Sequence, residues 1–193
     1  SNSSAASDVY KRQVEATFTQ IATEPETLPF TDVKTGDWFY EAVQYVYDKG
    51  MMTGVSADRF APASTTTRGM IVTILYRLEN EPEVSGGSAF TDVESGAWYA
   101  DAVAWAAAND IVNGTSATTF APNSPITREQ MAAILYRYAA YKGYDVSQKA
   151  DLSGYTDAAS ISDYAKDALA WANAQKLITG CLLYTSDAAD ELD

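Results

Sequence analysis

The chain has 193 residues, with 26 acidic against 13 basic side chains, a formal net charge of −13 and no histidine. That balance disfavours nucleic acid, whose phosphates need clustered Lys and Arg. The missing imidazole excludes histidine metal sites and Ser-His or Cys-His nucleophile systems.

Residues 1–29 read as an N-terminal segment and linker, ending in a short helix and a tether marked by Pro25 and Pro29. Residues 7–13, Ser7 to Gln13, fit no pattern elsewhere in the chain and are set aside from the fold as a tag would be. No charged stretch followed by an apolar one marks a signal peptide, so an exported protein is expected to carry its signal further upstream. No run approaches the roughly 18 apolar residues of a membrane span.

A repeat of about 60 residues begins at Phe30. Phe30-Thr31-Asp32-Val33 returns as Phe90-Thr91-Asp92-Val93, Trp38 as Trp98, and Gly54 as Gly114. Phe60-Ala61-Pro62 returns as Phe120-Ala121-Pro122, Thr67-Arg68 as Thr127-Arg128, and Ile74 to Arg77 as Ile134 to Arg137. A third copy opens at Tyr155-Thr156-Asp157 and reaches Gly180 without its Arg-bearing half. The expected domains are repeat 1 over 30–83, repeat 2 over 90–147 and a truncated repeat 3 over 155–180. Residues 181–193, with the single cysteine Cys181, are expected to be foreign to the fold, and one cysteine cannot form an intrachain disulfide.

Each copy reads as a helix, a Gly/Pro loop and a second helix. The first helix is expected from Trp98-Tyr99-Ala100-Asp101 onward, stopping at Gly50 in one copy and Asn109-Asp110 in the next. The second helix opens at Thr127, three residues before Gln130, which is the spacing of a capping box. Its expected apolar stripe is Met131, Ile134, Leu135 and Tyr138, or Ile71, Ile74, Leu75 and Leu78 in the first copy. One helix pair cannot bury such a stripe alone, so neighbouring repeats must pack together.

The polar positions carry two readings each. Arg68 and Arg128 fall in the first turn after a Thr cap, where a guanidinium fork and free backbone N–H groups can meet one carboxylate; the alternative is pairing with an acidic neighbour such as Glu129. Asp32, Asp92 and Asp157 can accept hydroxyls of a ligand or cap a turn. Trp38 and Trp98 can stack on a ligand or pack in a core, and the third copy has Tyr164 there. Gly54, Gly114 and Gly180 suit close approach of a ligand or a turn with positive φ. Arg77 and Arg137, deeper in the second helix, read as solvated or structural.

Together, Phe-x-Asp-Val, Gly-x-Trp, Ala-Val, the central Gly, Phe-Ala-Pro and Thr-Arg with a following Leu-Tyr-Arg resemble the S-layer homology (SLH) repeat over residues 30–180. The resemblance implies an all-α fold of tandem helix-loop-helix repeats packed as a pseudo-threefold bundle. It implies noncovalent anchoring of an exported protein, with an upstream cargo domain, to a pyruvylated secondary cell-wall polysaccharide of a Gram-positive-type envelope, without a cofactor. Residues carried over as glycan-binding are Asp32, Trp38, Gly54, Arg68, Asp92, Trp98, Gly114, Arg128, Asp157 and Gly180. The family's frequent Thr-Arg-Ala-Glu is Thr-Arg-Gly-Met in copy one and Thr-Arg-Glu-Gln in copy two, so the grooves are expected to differ.

Three rivals remain. A glycosidase would use an acidic pair such as Asp92 with Glu94 or Asp101 with Asp110. A calcium-dependent docking module needs loop ligands that Asp32 to Gly36 lack and Asp92 to Gly96 supply only in part. A helical-repeat scaffold for a protein partner would be indifferent to pyruvylation.

Overall fold

The computed structural model describes residues 28–180. The expectations for residues 1–27 and 181–193, Cys181 included, lie outside the described residues. Among those described are five α-helices and no strand: α1 (Tyr40–Asp48), α2 (Arg68–Leu78), α3 (Ala100–Ala108), α4 (Arg128–Tyr141) and α5 (Lys166–Ala174). Two 3-10 turns, Ala158–Ser160 and Asp163–Ala165, lead into α5. The all-α expectation holds.

The helices end as their sequences dictate. Gly50, Asp110 and Lys176 take the left-handed conformation, with φ of 66°, 57° and 58°, just beyond α1, α3 and α5. The next residue in each copy then donates back into the last turn: Met51 N–H to Val46 O, Ile111 N–H to Ala106 O and Leu177 N–H to Ala172 O, at 2.9, 2.8 and 2.9 Å. This 6→1 closure satisfies carbonyls that a helix end leaves orphaned. The capping box at the start of α4 forms in full, Thr127 accepting from the Gln130 N–H and Gln130 reaching back to the Thr127 N–H. At α2, Thr67 accepts from the Met70 N–H at 3.3 Å.

The described residues divide into two compact units, one of residues up to 45 with 53–62, the other of 46–52 with residues from 63 onward. In the first, Phe30, Val33 and Val43 are buried and the Phe30 and Phe60 rings pack at 5.3 Å. In the second, packing runs between repeats: α2 lies on α3 and α4 on α5. Val72 and Leu75 of α2 meet Val103, Trp105 and Ala106 of α3, with Ile111, Phe120 and Ile134 completing that core. Ala132, Ala133 and Ala139 of α4 meet Ala168, Trp171 and Ala172 of α5. The small side chains let these last two helices approach closely. Glu79, just past α2, fastens to α4: the Tyr138 hydroxyl donates to it, and Lys142 Nζ lies 2.9 Å away.

The buried stripe of α2 differs from the expected one. Arg68, Gly69, Val72, Thr73 and Leu75 are buried, whereas Leu78 is exposed and Ile71 and Ile74 are half-buried. The cause is Gly69, where an added Cβ would lie 3.0 Å from the Pro122 carbonyl oxygen. A glycine there turns the 68–69–72–75 face inward. The Trp residues also precede their helix, since α3 begins at Ala100 with Tyr99 as its cap.

An L-residue in the left-handed region is strained by about 1 kcal/mol, which glycine avoids. Lys176→Gly is therefore expected to stabilise the chain by about 1 kcal/mol and Gly50→Ala to destabilise it by about as much. Urea unfolding of the two variants beside the parent chain checks both signs.

Candidate functional site

The repeated aspartates hold the repeats' loops in place. Asp32 accepts from the Phe60 N–H at 2.9 Å and the Ala61 N–H at 2.8 Å. Asp92 does the same for Phe120 at 2.8 Å and Ala121 at 2.7 Å. The clasped residues Ala61 and Ala121 have φ of 61° and 57°, an unfavourable conformation that the carboxylate keeps in place. The Phe60 N–H, foremost, holds the Asp32 carboxyl below its usual value, with Ala61 and the Arg59 charge adding to it against some desolvation. Burial pushes Asp92 up, but the Phe120 and Ala121 N–H groups and the Arg68 charge outweigh it and leave that carboxyl low as well. Asp157 is exposed and makes no side-chain cap bond at its 3-10 turn. The turn-capping reading thus applies to two of the three aspartates, across 28 and 29 residues rather than locally.

Arg68 is 5% exposed. Its Nε donates to Phe120 O at 2.8 Å, its Nη2 to Asn113 O at 3.0 Å, and its guanidinium lies 4.6 Å from the Phe120 ring centre. Burial draws its pKa down, but a guanidinium stays protonated across any pH the fold meets. Arg128 occupies the same register one repeat on. Its Nη2 donates to Thr179 O at 2.8 Å, the residue before Gly180, as Asn113 is the residue before Gly114. Arg128 is exposed, however.

Two expectations about these arginines change. Glu129 is taken by the Ser162 N–H and hydroxyl and the Tyr164 hydroxyl, at 3.2, 3.1 and 3.0 Å, instead of pairing with Arg. The first-turn N–H groups of α2 are not free: Arg68 N–H donates to Ser124 O at 3.1 Å and Gly69 N–H to Pro122 O at 2.8 Å. An anion at α2 would meet the guanidinium alone.

Trp38 and Trp98 are 94% and 56% exposed, each set edge-on to the ring that follows it, Phe39 or Tyr99. They lie ahead of the helix rather than on its buried face, so core packing does not apply. The glycines have a local cause. A Cβ on Gly54, Gly114 or Gly180 would fall 2.6, 2.7 or 2.0 Å from the Phe30, Phe90 or Tyr155 ring of the same repeat. Gly54 also has φ of 83°.

Asn113 was not singled out from the sequence, while Phe120 was read only as part of the repeated Phe-Ala-Pro loop and Tyr164 only as the third copy's counterpart of the tryptophans. Asn113 carried a usable signal, since it precedes a glycine that recurs in every copy. Arg137 makes no hydrogen bond or ion pair with the described residues, whereas Arg77 bonds Met51 O at 3.4 Å and lies 3.6 Å from Glu81. Among the described residues no three Asp, Glu, Cys or His side chains converge as a metal site.

Removing Arg68 strands two inward carbonyls, while Arg128 bonds one at the surface. Arg68→Ala is expected to cost about 2–4 kcal/mol in chemical denaturation and Arg128→Ala under about 1 kcal/mol. The low carboxyls of Asp32, Asp92 and Glu79, the last held down chiefly by the Tyr138 hydroxyl, contribute stability that is complete above their unfolded values near pH 4 and lost as pH falls through the folded ones. Tm followed from pH 7 downward should fall below about pH 4, with a smaller fall in Asp92→Asn.

Comparison with known proteins agrees with this architecture. The S-layer homology domain matches residues 29–69 and 89–132. The Surface-layer 125 kDa protein of Lysinibacillus sphaericus is 36% identical over 147 residues, covering 76% of this chain and 12% of that protein. An Endoglucanase of a Bacillus species is 34% identical over 79% of this chain and 16% of its own length. Exoglucanase XynX of Acetivibrio thermocellus is 30% identical over 79% of this chain and 14% of its own length. The chain thus spans under a fifth of each of these relatives. With two matched repeats, the Arg-bearing helix starts in register and relatives among surface-layer proteins, this chain belongs to the S-layer homology domain family, whose members anchor proteins at the bacterial cell surface.

Proposed function

We propose that these repeats hold a larger exported protein on the cell envelope by binding a pyruvylated secondary cell-wall polysaccharide, without catalysis of their own. The observation that carries this reading is the recurrence of one arrangement: Arg68 and Arg128 each open a helix and bond the carbonyl just before the glycine turn of the following repeat. A pyruvate ketal places a carboxylate on a sugar otherwise rich in neutral hydroxyls, and a guanidinium fork matches it with two parallel N–H···O bonds. At Arg68 both Nε and Nη2 already serve the chain's own carbonyls, so the exposed Arg128, which uses Nη2 alone, has more of its fork to offer. The bulk charge of −13 does not oppose such binding, since repulsion between exposed charges fades beyond roughly 8 Å at physiological salt.

The other positions take supporting roles. Trp38 and Trp98 offer exposed faces on which a pyranose ring can stack. Asp32 and Asp92 each accept two amide protons and retain lone pairs for sugar hydroxyls; Asp157, exposed, offers the same group in the third copy. Gly54, Gly114 and Gly180 keep the turn close against an aromatic ring, which places the neighbouring carbonyl where the arginine meets it. The functional repeats are then 30–83, 90–147 and 155–180. The catalytic activity implied by relatives named Endoglucanase and Exoglucanase would belong to cargo outside the aligned stretch.

Calorimetric titration with intact and ketal-stripped wall polysaccharide tests the proposal. Stripping the ketal is expected to weaken binding at least tenfold, about 1.4 kcal/mol. Arg128→Ala should give a comparable loss with an unchanged Tm, because its side chain is exposed. Equal affinity for both polymers would refute carboxylate recognition and favour a scaffold for another partner.

A further inference from the structure

The loop that seats Arg68 also brings together the groups of a chemical reaction. Asn113 and Gly114 stand in the loop after α3, where the Asn113 carbonyl accepts from Arg68 Nη2 at 3.0 Å. The Asn113 side chain is exposed and makes no hydrogen bond among the described residues. Nor does the Gly114 N–H; the loop's own bonding starts one residue later, where the Thr115 N–H donates to Thr119 O at 2.8 Å. A free side-chain amide thus stands beside a free backbone nitrogen, and glycine, having no Cβ, obstructs that nitrogen least. The four other asparagines among the described residues each lack a condition. The N–H that follows Asn80 donates to Tyr76 O at 3.0 Å, and the one that follows Asn123 donates to Ala121 O at 3.1 Å. Asn109 bonds Trp105 O through its amide, while the Asp110 N–H donates to Ala107 O. Asn173 gives its amide to the Tyr155 hydroxyl and Ile178 O. Repeats 1 and 3 have Thr53 and Thr179 in the place of Asn113, side chains that cannot react this way.

We infer that Asn113 and Gly114 form a site of spontaneous covalent modification, at which the asparagine closes onto the glycine nitrogen and reopens as isoaspartate, setting a carboxylate against Arg68. The Gly114 nitrogen loses its proton to water or hydroxide and attacks Asn113 Cγ. The N–Cγ bond forms, the Cγ–Nδ2 bond breaks, and Nδ2 takes a proton from solvent and leaves as ammonia. Water then opens the cyclic imide. Opening at Cγ leaves aspartate on an unchanged backbone. Opening at the former Asn113 carbonyl carbon breaks its bond to the Gly114 nitrogen and leaves isoaspartate, with the chain running through Cγ. One water is consumed and one ammonia released, with nothing oxidised or reduced. Arg68 favours the first step, because deprotonating the Gly114 amide spreads negative charge onto the Asn113 carbonyl oxygen, which already faces a buried guanidinium donor. A charge-assisted bond set in advance stabilises such developing charge. In the isoaspartyl product that carbonyl carbon carries a free carboxylate, so the neutral acceptor of Arg68 becomes an anion. The main chain also lengthens by one carbon, in a turn where a Cβ added to Gly114 would fall 2.3 Å from Ser116 O. The carboxylate the chain makes for itself competes with any carboxylate brought to Arg68 by a ligand. That effect on binding rests on the anchoring reading above; the modification does not.

The test incubates the full 193-residue chain beside Asn113→Thr in warm, mildly alkaline buffer. Peptide mass mapping follows the exchange of NH2 for OH, and methylation by an isoaspartyl methyltransferase identifies isoaspartate. Isoaspartate is expected at Asn113 about tenfold or more faster than at Asn80, Asn109, Asn123 or Asn173, a barrier difference of about 1.4 kcal/mol. The rate should climb with pH, since the attacking nitrogen must first lose its proton. The aged chain is expected to bind intact wall polysaccharide about threefold or more weakly than the fresh one, whereas ageing should leave Asn113→Thr unchanged. Absence of isoaspartate at Asn113, or its arrival at Asn123 at the same rate, would overturn the site. Unaltered binding by a fully converted chain would overturn the competition at Arg68. If the fresh chain failed to bind the polymer while Asn113 still converted, the carboxylate reading would fall and the modification site would stand.

Discussion

The fold of each of the first two repeats depends on a carboxylate gripping two consecutive backbone N–H groups nearly thirty residues further along the chain. Asp92 to Phe120 and Ala121 is the clearest instance. The bond closes the whole first half of the repeat into a ring. Once closed, the loop sets Phe120 under Phe90 and fixes Ala121 in a left-handed conformation that alanine avoids when free. Phe120 then presents its carbonyl and its ring to Arg68, so the clasp within one repeat builds the seat for the arginine of the repeat before it. Removing the aspartate would loosen an arginine on another helix that it does not itself contact through a hydrogen bond.

That order of dependence gives Arg68 and Arg128 different surroundings although each follows a threonine cap at the same register of its repeat. Arg68 is anchored by two carbonyls and a ring; Arg128 has one carbonyl and open solvent. A guanidinium fixed in advance loses less freedom when it meets a carboxylate. A mobile one adapts to more ligand geometries. The two positions therefore differ in anchoring: Arg68 is buried and held by two carbonyls, while Arg128 is exposed and bonds one.

Much of this was legible in the sequence because it is local. The Thr127–Gln130 box, the stop at Gly50 and the helical halves of each copy depend on neighbours within a turn or two. The repeat itself announced which polar positions matter. What stayed hidden depends on partners far along the chain. Nothing near Arg68 says that Phe120 and Asn113, 52 and 45 residues away, will bury it. The stripe of α2 was misplaced because Leu78 looks like core until Gly69 is known to touch Pro122. For Trp98 the choice between stacking on a ligand and core packing stayed open until the helix was seen to begin two residues after it. Lys176 gave no sign of a left-handed conformation beyond its register with Gly50 and Asp110.

The alternation of partners also bears on what happens under tension. Each core in the second unit joins the later helix of one repeat to the earlier helix of the next, so each repeat buries part of its surface on a neighbour. A pull along the chain cannot strip off one repeat as a bead comes off a string. Opening repeat 2 would break its contacts with repeats 1 and 3 together, α3 leaving α2 while α4 leaves α5. Force is thereby shared across two interfaces before either yields, a property that suits a module of a family that anchors proteins at the cell surface.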